Sequence, residues 1–162
     1  MFRRLPRLLT AAALGATLVA APAAALPGER AAFLGPQGYG PLKLGMSLKA
    51  ARKAGLVTKL TKADGQACGS FTMKKTGASV YYEKKRGVTA IFAAKSTRTP
   101  RGIKIGDRLK KVKQAYPGLK AGPNAHDVRV PGNRGARYIF LFDSSDRVYE
   151  LTLARTPVRC FG

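Results

Sequence analysis

The feature that most constrains the fold is a short pattern that occurs twice, 61 residues apart. In each copy two apolar residues flank a lysine and a glycine follows, at residues 42–45 and again at 103–106. Alternation of apolar and polar residues is typical of a short strand with one buried face, and glycine allows the chain to turn sharply. We therefore expect the same local structure at both places.

A short helix is predicted after each glycine. Ser47 and Asp107 are residue types that cap the N-terminus of a helix. Beyond them, apolar or small residues recur at i, i+3 and i+7, which predicts one buried stripe on each helix. The stripe residues are Leu48, Ala51 and Gly55 in the first helix, and Leu109, Val112 and Tyr116 in the second.

Each predicted helix is followed by strand-like segments, separated by turn residues such as glycine, proline, asparagine and aspartate. The predicted strands are 69–74, 78–84, 88–95, 127–130, 137–142 and 147–155. A repeat of about 60 residues is too long for a solenoid unit. The sequence thus predicts an α+β fold of two tandem modules, each a short helix packed on an antiparallel β-sheet. Chance similarity between two short segments is the alternative.

The chain divides into four predicted parts. Residues 1–25 are predicted to be a secretory signal peptide, because arginines precede an apolar run and a small-residue cleavage site. Residues 26–40, rich in glycine and proline, are predicted to be a flexible arm. Residues 41–98 form the first repeat and 99–162 the second. An uncleaved membrane anchor is the alternative for the first part, and no later segment is long and apolar enough to span a membrane. We therefore expect a secreted protein.

The chain has two cysteines, Cys68 and Cys160. Two thiols in a small secreted domain usually pair, because the compartment is oxidising. We therefore predict a disulfide that joins the first repeat to the second; two free buried thiols are the alternative. The sequence has no Cys-x-x-Cys motif and only one histidine, so we predict neither a metal site nor another cofactor.

The chain is strongly basic, with 30 lysines and arginines against 8 acidic residues and a net charge of +22. Such a surplus attracts polyanions. We predict that the protein binds an anionic cell-wall polymer or an acidic protein; a charge that serves only solubility is the alternative. Nucleic acid is not expected as a partner, because a signal peptide takes the mature chain away from it. The predicted binding residues are Lys49, Arg52, Lys53, Lys84, Lys85, Arg86, Lys104, Lys110, Lys111 and Lys113.

Catalytic chemistry has little support in the sequence. The only histidine is His126, and nothing in the sequence connects it with Ser70. There is no Gly-x-Ser-x-Gly motif. Asp107 is explained by capping, and Asp143 and Asp146 by turn formation. We therefore predict a non-enzymatic binding module; a small secreted hydrolase that uses His126 is an alternative.

The segment Leu-Gly-Met-Ser at 44–47, followed by a helix and a loop that leads to Cys68, resembles the repeat of the secreted β-lactamase inhibitor proteins of actinobacteria. The resemblance implies tandem modules over residues 40–160, each a helix-loop-helix on a four-stranded antiparallel sheet. It also implies inhibition of a secreted hydrolase as an alternative function. That family has a disulfide within each module, whereas this chain has one candidate pair. No residue here matches the inhibitory loops of that family.

Overall fold

The computed structural model describes residues 33–62 and 68–160. The predicted signal peptide, residues 1–25, lies outside the described residues. In the part of the chain that is described, no helix has the length and apolar character needed to cross a membrane.

The described chain contains two short helices and eleven strands. The helices are α1 (Leu48–Lys53) and α2 (Leu109–Ala115). The strands are β1 (Leu34–Gly35), β2 (Gly38–Tyr39), β3 (Leu42–Lys43), β4 (Val57–Thr61), β5 (Cys68–Met73), β6 (Ser79–Glu83), β7 (Gly87–Phe92), β8 (Lys120–Ala121), β9 (His126–Val130), β10 (Asn133–Phe142) and β11 (Val148–Arg155).

Strands β4 to β11 form one antiparallel sheet in the order β4-β5-β6-β7-β11-β10-β9-β8. Two four-stranded meanders therefore lie side by side, and they meet where β7 pairs with β11. At this junction Ile91 lies opposite Leu153. The fold is α+β, as predicted, but the two halves share a single continuous sheet.

The two glycine loops make the same backbone hydrogen bonds. The N–H of Gly45 donates to the carbonyl of Val88, and the N–H of Gly106 donates to the carbonyl of Val148, each over 2.7 Å. In return, the N–H of each valine donates to the carbonyl of the residue after the glycine, over 2.9 Å. Both glycines have a positive φ, of 80° and 92°. Each loop is thus fastened to the start of the last strand of its own half.

Each helix buries one side chain completely, Ala51 in α1 and Val112 in α2. Tyr116, directly after α2, is also buried, as the predicted stripe requires. Gly55 is not part of the buried stripe, because α1 ends at Lys53 and Gly55 is exposed.

The two helices begin differently. Ser47 caps α1 as predicted, since its hydroxyl accepts a hydrogen bond from the N–H of Ala50 over 3.1 Å. The residue at the N-cap position of α2 is Arg108, which makes no side-chain capping bond. The prediction that Asp107 is the cap was wrong, because its carboxylate is turned to the N–H of Lys104, at 2.9 Å.

Strands β1, β2 and β3 form a small sheet that packs on the core. The phenol of Tyr138 in β10 donates to the carbonyl of Leu34 over 2.7 Å, and the hydroxyl of Thr97 donates to that of Tyr39 over 2.9 Å. Burial raises the pKa of Tyr138, so its phenol remains a donor. The sequence predicted a flexible arm over residues 26–40. Residues 26–32 of it lie outside the described residues, and residues 34–40 make contacts with distant parts of the chain.

Six of the predicted strands correspond to β5, β6, β7, β9, β10 and β11, and the largest difference is at the start of β10, which begins at Asn133. Strands β4 and β8 were not predicted. Residues 103–105, predicted as a strand, are not part of one. There the N–H of Ile103 instead bonds to the hydroxyl of Thr99, over 3.2 Å.

The predicted disulfide between Cys68 and Cys160 is present, and the two Cα atoms are 5.6 Å apart. Cys68 lies in β5 and Cys160 lies beyond β11, so the bond joins the first half to the second, as predicted. The segment after β11 returns to the first half, where the guanidinium of Arg86 donates to the carbonyls of Thr156 and Pro157 over 2.9 and 3.1 Å.

Replacing both cysteines, as Cys68→Ala with Cys160→Ala, is expected to lower the free energy of unfolding by about 4 kcal/mol. The physical reason is that the bond closes a long loop, with 92 residues of sequence separation, and so restricts the unfolded chain. Urea denaturation measures the change. The unsubstituted protein under reducing conditions is the control and should match the double variant; unchanged stability in both would contradict the prediction.

Gly87 is expected to tolerate a side chain poorly, because backbone atoms lie close to it. It has φ +69°, and a Cβ there would lie 2.4 Å from the carbonyl oxygen of Gly45 and 2.6 Å from that of Met46. Gly132 is the matched control, with φ +80° and nothing within 4 Å of a Cβ. Gly132→Ala should cost about 1 kcal/mol of unfolding free energy. Gly87→Ala should cost roughly 2 kcal/mol more because of the clash. If urea denaturation showed equal losses of unfolding free energy for the two variants, the predicted clash at Gly87 would be contradicted.

Candidate anion-binding surface

Helix α1 displays three of the predicted binding residues. The side chains of Lys49, Arg52 and Lys53 are all exposed, while Ala51 faces the core. Ala51 marks the side of the helix that is turned inward, and the three basic residues lie elsewhere on its surface. The helix presents its three cations to solvent.

The turn between β6 and β7 lies beside the start of α1. It contains Lys84 and Lys85, and both are exposed. The turn is held there by the bond from the N–H of Val88 to the carbonyl of Met46, which precedes the helix. Two more predicted cations are thus brought to the N-terminal end of α1.

Two further lysines, which are not among the predicted binding residues, lie at the other end of α1. Lys74 and Lys75 are exposed in the turn between β5 and β6. The N–H of Lys74 donates to the carbonyl of Leu56 over 2.9 Å, and Lys75 lines a small pocket with Gly55. The pair of lysines is visible in the sequence, but its place beside α1 depends on this long-range contact.

These seven residues form what we name the α1 cationic surface. Its members are Lys49, Arg52, Lys53, Lys74, Lys75, Lys84 and Lys85. Of the described residues between 33 and 98, Glu83 is the only acid, and its carboxylate pairs with Arg86 at 2.7 Å. No member of the surface forms an ion pair with a described acidic residue.

Arg86 itself does not belong to this surface, although the sequence predicted it as a binding residue. Its guanidinium is half-buried and bonds to Glu83 and to the carbonyls of Thr156 and Pro157. Its donors are therefore used to hold the C-terminal segment, and we treat it as a structural residue.

The predicted residues of the second half have acidic neighbours. The ammonium of Lys111 pairs with Asp107 at 2.9 Å. Lys110 and Lys113 are exposed, but they share a shallow depression with Asp146. Lys104 is half-buried. The basic residues of α2 thus have acidic neighbours, whereas those of α1 form no ion pair with a described acid.

Composition shows the same difference between the halves. Residues 33–98 contain thirteen lysines and arginines against two acids, and residues 99–160 contain thirteen against five. The turn before β11 contains Asp143 and Asp146, whereas the corresponding turn before β7 contains Lys84 and Lys85. The cationic character is therefore strongest around α1.

The structure does not bring Ser70 and His126 together. Ser70 lies in β5 and His126 in β9, and four strands separate them in the sheet. At a strand spacing of about 4.8 Å, that separation is about 24 Å. His126 packs edge-on against Phe142, with ring centroids 5.0 Å apart. The one serine and histidine pair considered from the sequence is thus not a nucleophile and base pair.

The position of Lys49 is electrostatically unfavourable for the helix. It lies in the first turn of α1, where the helix dipole favours acidic residues and where none is present. It is also four residues from Lys53, and like charges at this spacing repel. Lys49 therefore weakens α1.

Lys49→Glu is expected to raise the free energy of unfolding by about 1 kcal/mol, because it replaces both unfavourable terms with favourable ones. Urea denaturation at low salt measures the gain. Lys49→Gln is the matched control and should give a smaller gain, since it removes the repulsion without adding an attraction. A loss of stability in the glutamate variant would contradict this account of the helix.

No protein family, curated protein or solved structure matches this chain.

Proposed function

We propose that this protein is a secreted, non-enzymatic binding module that holds an anionic polymer on the α1 cationic surface. The observation that carries the proposal is the arrangement of seven exposed cations along one helix and its two flanking turns, with no ion pair to a described acid. The like charges of the α1 cationic surface repel one another. A polymer with many negative charges reduces this repulsion, because it pairs with several of the cations at once.

The residue types favour a polymer over a single small anion or an acidic protein. Six of the seven cations are lysines. The lysine ammonium is a point charge on a flexible side chain, whereas the planar guanidinium of arginine binds one carboxylate or phosphate through two hydrogen bonds. Lysine is also depleted in protein–protein interfaces, where arginine and aromatic residues are enriched. Exposed contacts of this kind contribute about 0.2–1 kcal/mol each, so affinity depends on their number.

Secretion is supported by the disulfide, because such bonds persist in oxidising compartments. The sequence adds the features of a signal peptide. We propose an extracellular location on these two grounds.

We also propose that the two halves are copies of one module. The equal hydrogen bonds of Gly45 and Gly106, and the same order of helix and strands after them, support this interpretation. The turn before the last strand contains Lys84 and Lys85 in the first copy, but Asp143 and Asp146 in the second. We therefore assign the anion-binding function to the first copy. Inhibition of a secreted hydrolase stays an alternative that rests on the sequence resemblance; stoichiometric inhibition in a panel of such enzymes would support it.

Removing three cations from the surface, as Lys49→Gln, Lys84→Gln and Lys85→Gln together, is expected to weaken binding to polyphosphate or polyglutamate about tenfold at low salt. The matched control is Lys110→Gln, Lys113→Gln and Lys120→Gln, which removes the same charge from exposed residues of the second half. Isothermal titration calorimetry with both polymers measures the affinities.

The control triple variant should lose much less affinity than the surface variant. Equal losses would show that only the net charge matters and would overturn the assignment to α1. Binding should also fail at about 1 M salt, where the Debye length is about 3 Å. Affinity unchanged by such salt would rule out an electrostatic surface.

A further inference from the structure

The face of the large sheet that is turned away from the helices contains an apolar trough. Successive residues of a strand point to opposite faces, so in β10 Tyr138 and Phe140 enter the core while Ile139 and Leu141 lie on the other face. The trough has a volume of about 600 Å³. Its apolar lining consists of Tyr81, Phe92, Ala125, Ile139, Leu141 and Val158.

The pairing of strands brings these residues into adjacent positions. Thr152 lies opposite Phe92 on one side and opposite Ile139 on the other, and Glu150 lies opposite Leu141. The trough therefore crosses the junction between the two halves.

One wall of the trough comes from the C-terminal segment. Val158 lies between Pro157, whose carbonyl accepts from Arg86, and Cys160, which is bonded to Cys68. Both ends of this short segment are thus fixed to the first half, and the wall has a defined position.

Glu150 is the one charged group of the trough without an ionic partner. Asp127 and Arg137, which also line it, form a close ion pair with each other. The carboxylate of Glu150 accepts a hydrogen bond from the hydroxyl of Thr152 at 3.5 Å, and no described lysine or arginine pairs with it. In a chain with 30 basic residues, this is an unusual environment for a carboxylate.

The local charge of the trough is consequently opposite to that of the protein. Asp127 and Arg137 neutralise each other, so Glu150 determines the sign when it is ionised. Ligand sites are typically apolar cavities of about 300–1,000 Å³ with a few polar groups that orient the ligand. The trough has this size, this lining and one such group.

We propose that the trough binds a small amphiphilic molecule, a hydrocarbon or aromatic chain with one cationic amino group. The chain lies against Phe92, Ile139 and Leu141, and the amino group pairs with Glu150. This site is separate from the α1 cationic surface in position and in the sign of the charge that it selects.

The affinity for such a ligand should depend on pH. Burial raises the pKa of Glu150 above its ordinary value, and the bond from Thr152 opposes this in part. The other ionisable groups of the trough are Asp127, Arg137 and Tyr81. A cationic ligand binds the ionised carboxylate, so binding is strongest between the pKa of Glu150 and the higher pKa of the amino group, and it weakens as the pH falls through the pKa of Glu150.

The test compares n-octylammonium, octan-1-ol and octanoate, which have the same chain and a positive, neutral or negative head group. Calorimetry on the mature chain gives the affinities, and methyl chemical shifts of Ile139 and Leu141 locate the ligand. We expect octylammonium to bind about tenfold more tightly than octanol. We expect octanoate to bind more weakly than either at these methyl groups.

Glu150→Gln keeps the shape of the side chain and removes its charge. This variant should bring the affinity for octylammonium to within about twofold of the affinity for octanol, and it should leave the affinity for octanol unchanged. Asp146→Asn is the matched control, because it removes one negative charge from an exposed turn outside the trough, and it should preserve the preference. The NMR spectrum of each variant reports whether it is folded.

Equal binding of octylammonium and octanol by the unsubstituted protein would overturn the proposal. So would a preference that survives Glu150→Gln, or shift changes confined to residues outside the trough. None of these results bears on the polymer test, which uses other residues.

Discussion

The pairing of β7 with β11 joins the two meanders, and the rest of the architecture depends on it. Ala90, Ile91 and Phe92 lie opposite Ala154, Leu153 and Thr152. Strand β7 is buried from Gly87 to Ile91, because the core covers one of its faces and the C-terminal segment reaches the other near Thr89, whose hydroxyl contacts Cys160 at 3.4 Å. One junction therefore sets the continuous sheet, the position of the disulfide and the trough that crosses both halves.

Much of the fold follows from local pattern. The strands with regular alternation, such as β5 and β6, were predicted because every second residue enters the core. Strand β4 was missed, since Lys59 has φ +45° and the register with β5 shifts between Thr58 and Thr61. The small sheet was missed as well, because Leu34 and Tyr39 are buried by partners far away in the sequence. Asp107 was wrongly predicted as the N-cap of α2, because its carboxylate accepts a hydrogen bond from the backbone N–H of Lys104 instead.

The candidate site was predictable only as a set of exposed cations. Lys49, Lys84 and Lys85 are where the sequence placed them, on a helix surface and in a turn. Charge alone does not show which cations form ion pairs within the protein, as Arg86 and Lys111 do. The trough could not be predicted from the sequence, because its lining comes from five strands, the turn before β9 and the C-terminal segment. Taken singly, its strand residues look like ordinary strand positions.

The outermost strands of the large sheet have a consequence for behaviour at high concentration. A regular, uncharged edge strand offers free backbone groups to which a neighbouring molecule can add its own strand, and this is a route to aggregation. Here β4 is interrupted at Lys59, and β8 has only two residues, one of them Lys120. Each margin thus has an irregular or very short backbone and a positive charge that repels an identical copy. The margins of the large sheet are thus poor templates for the addition of a strand from another copy.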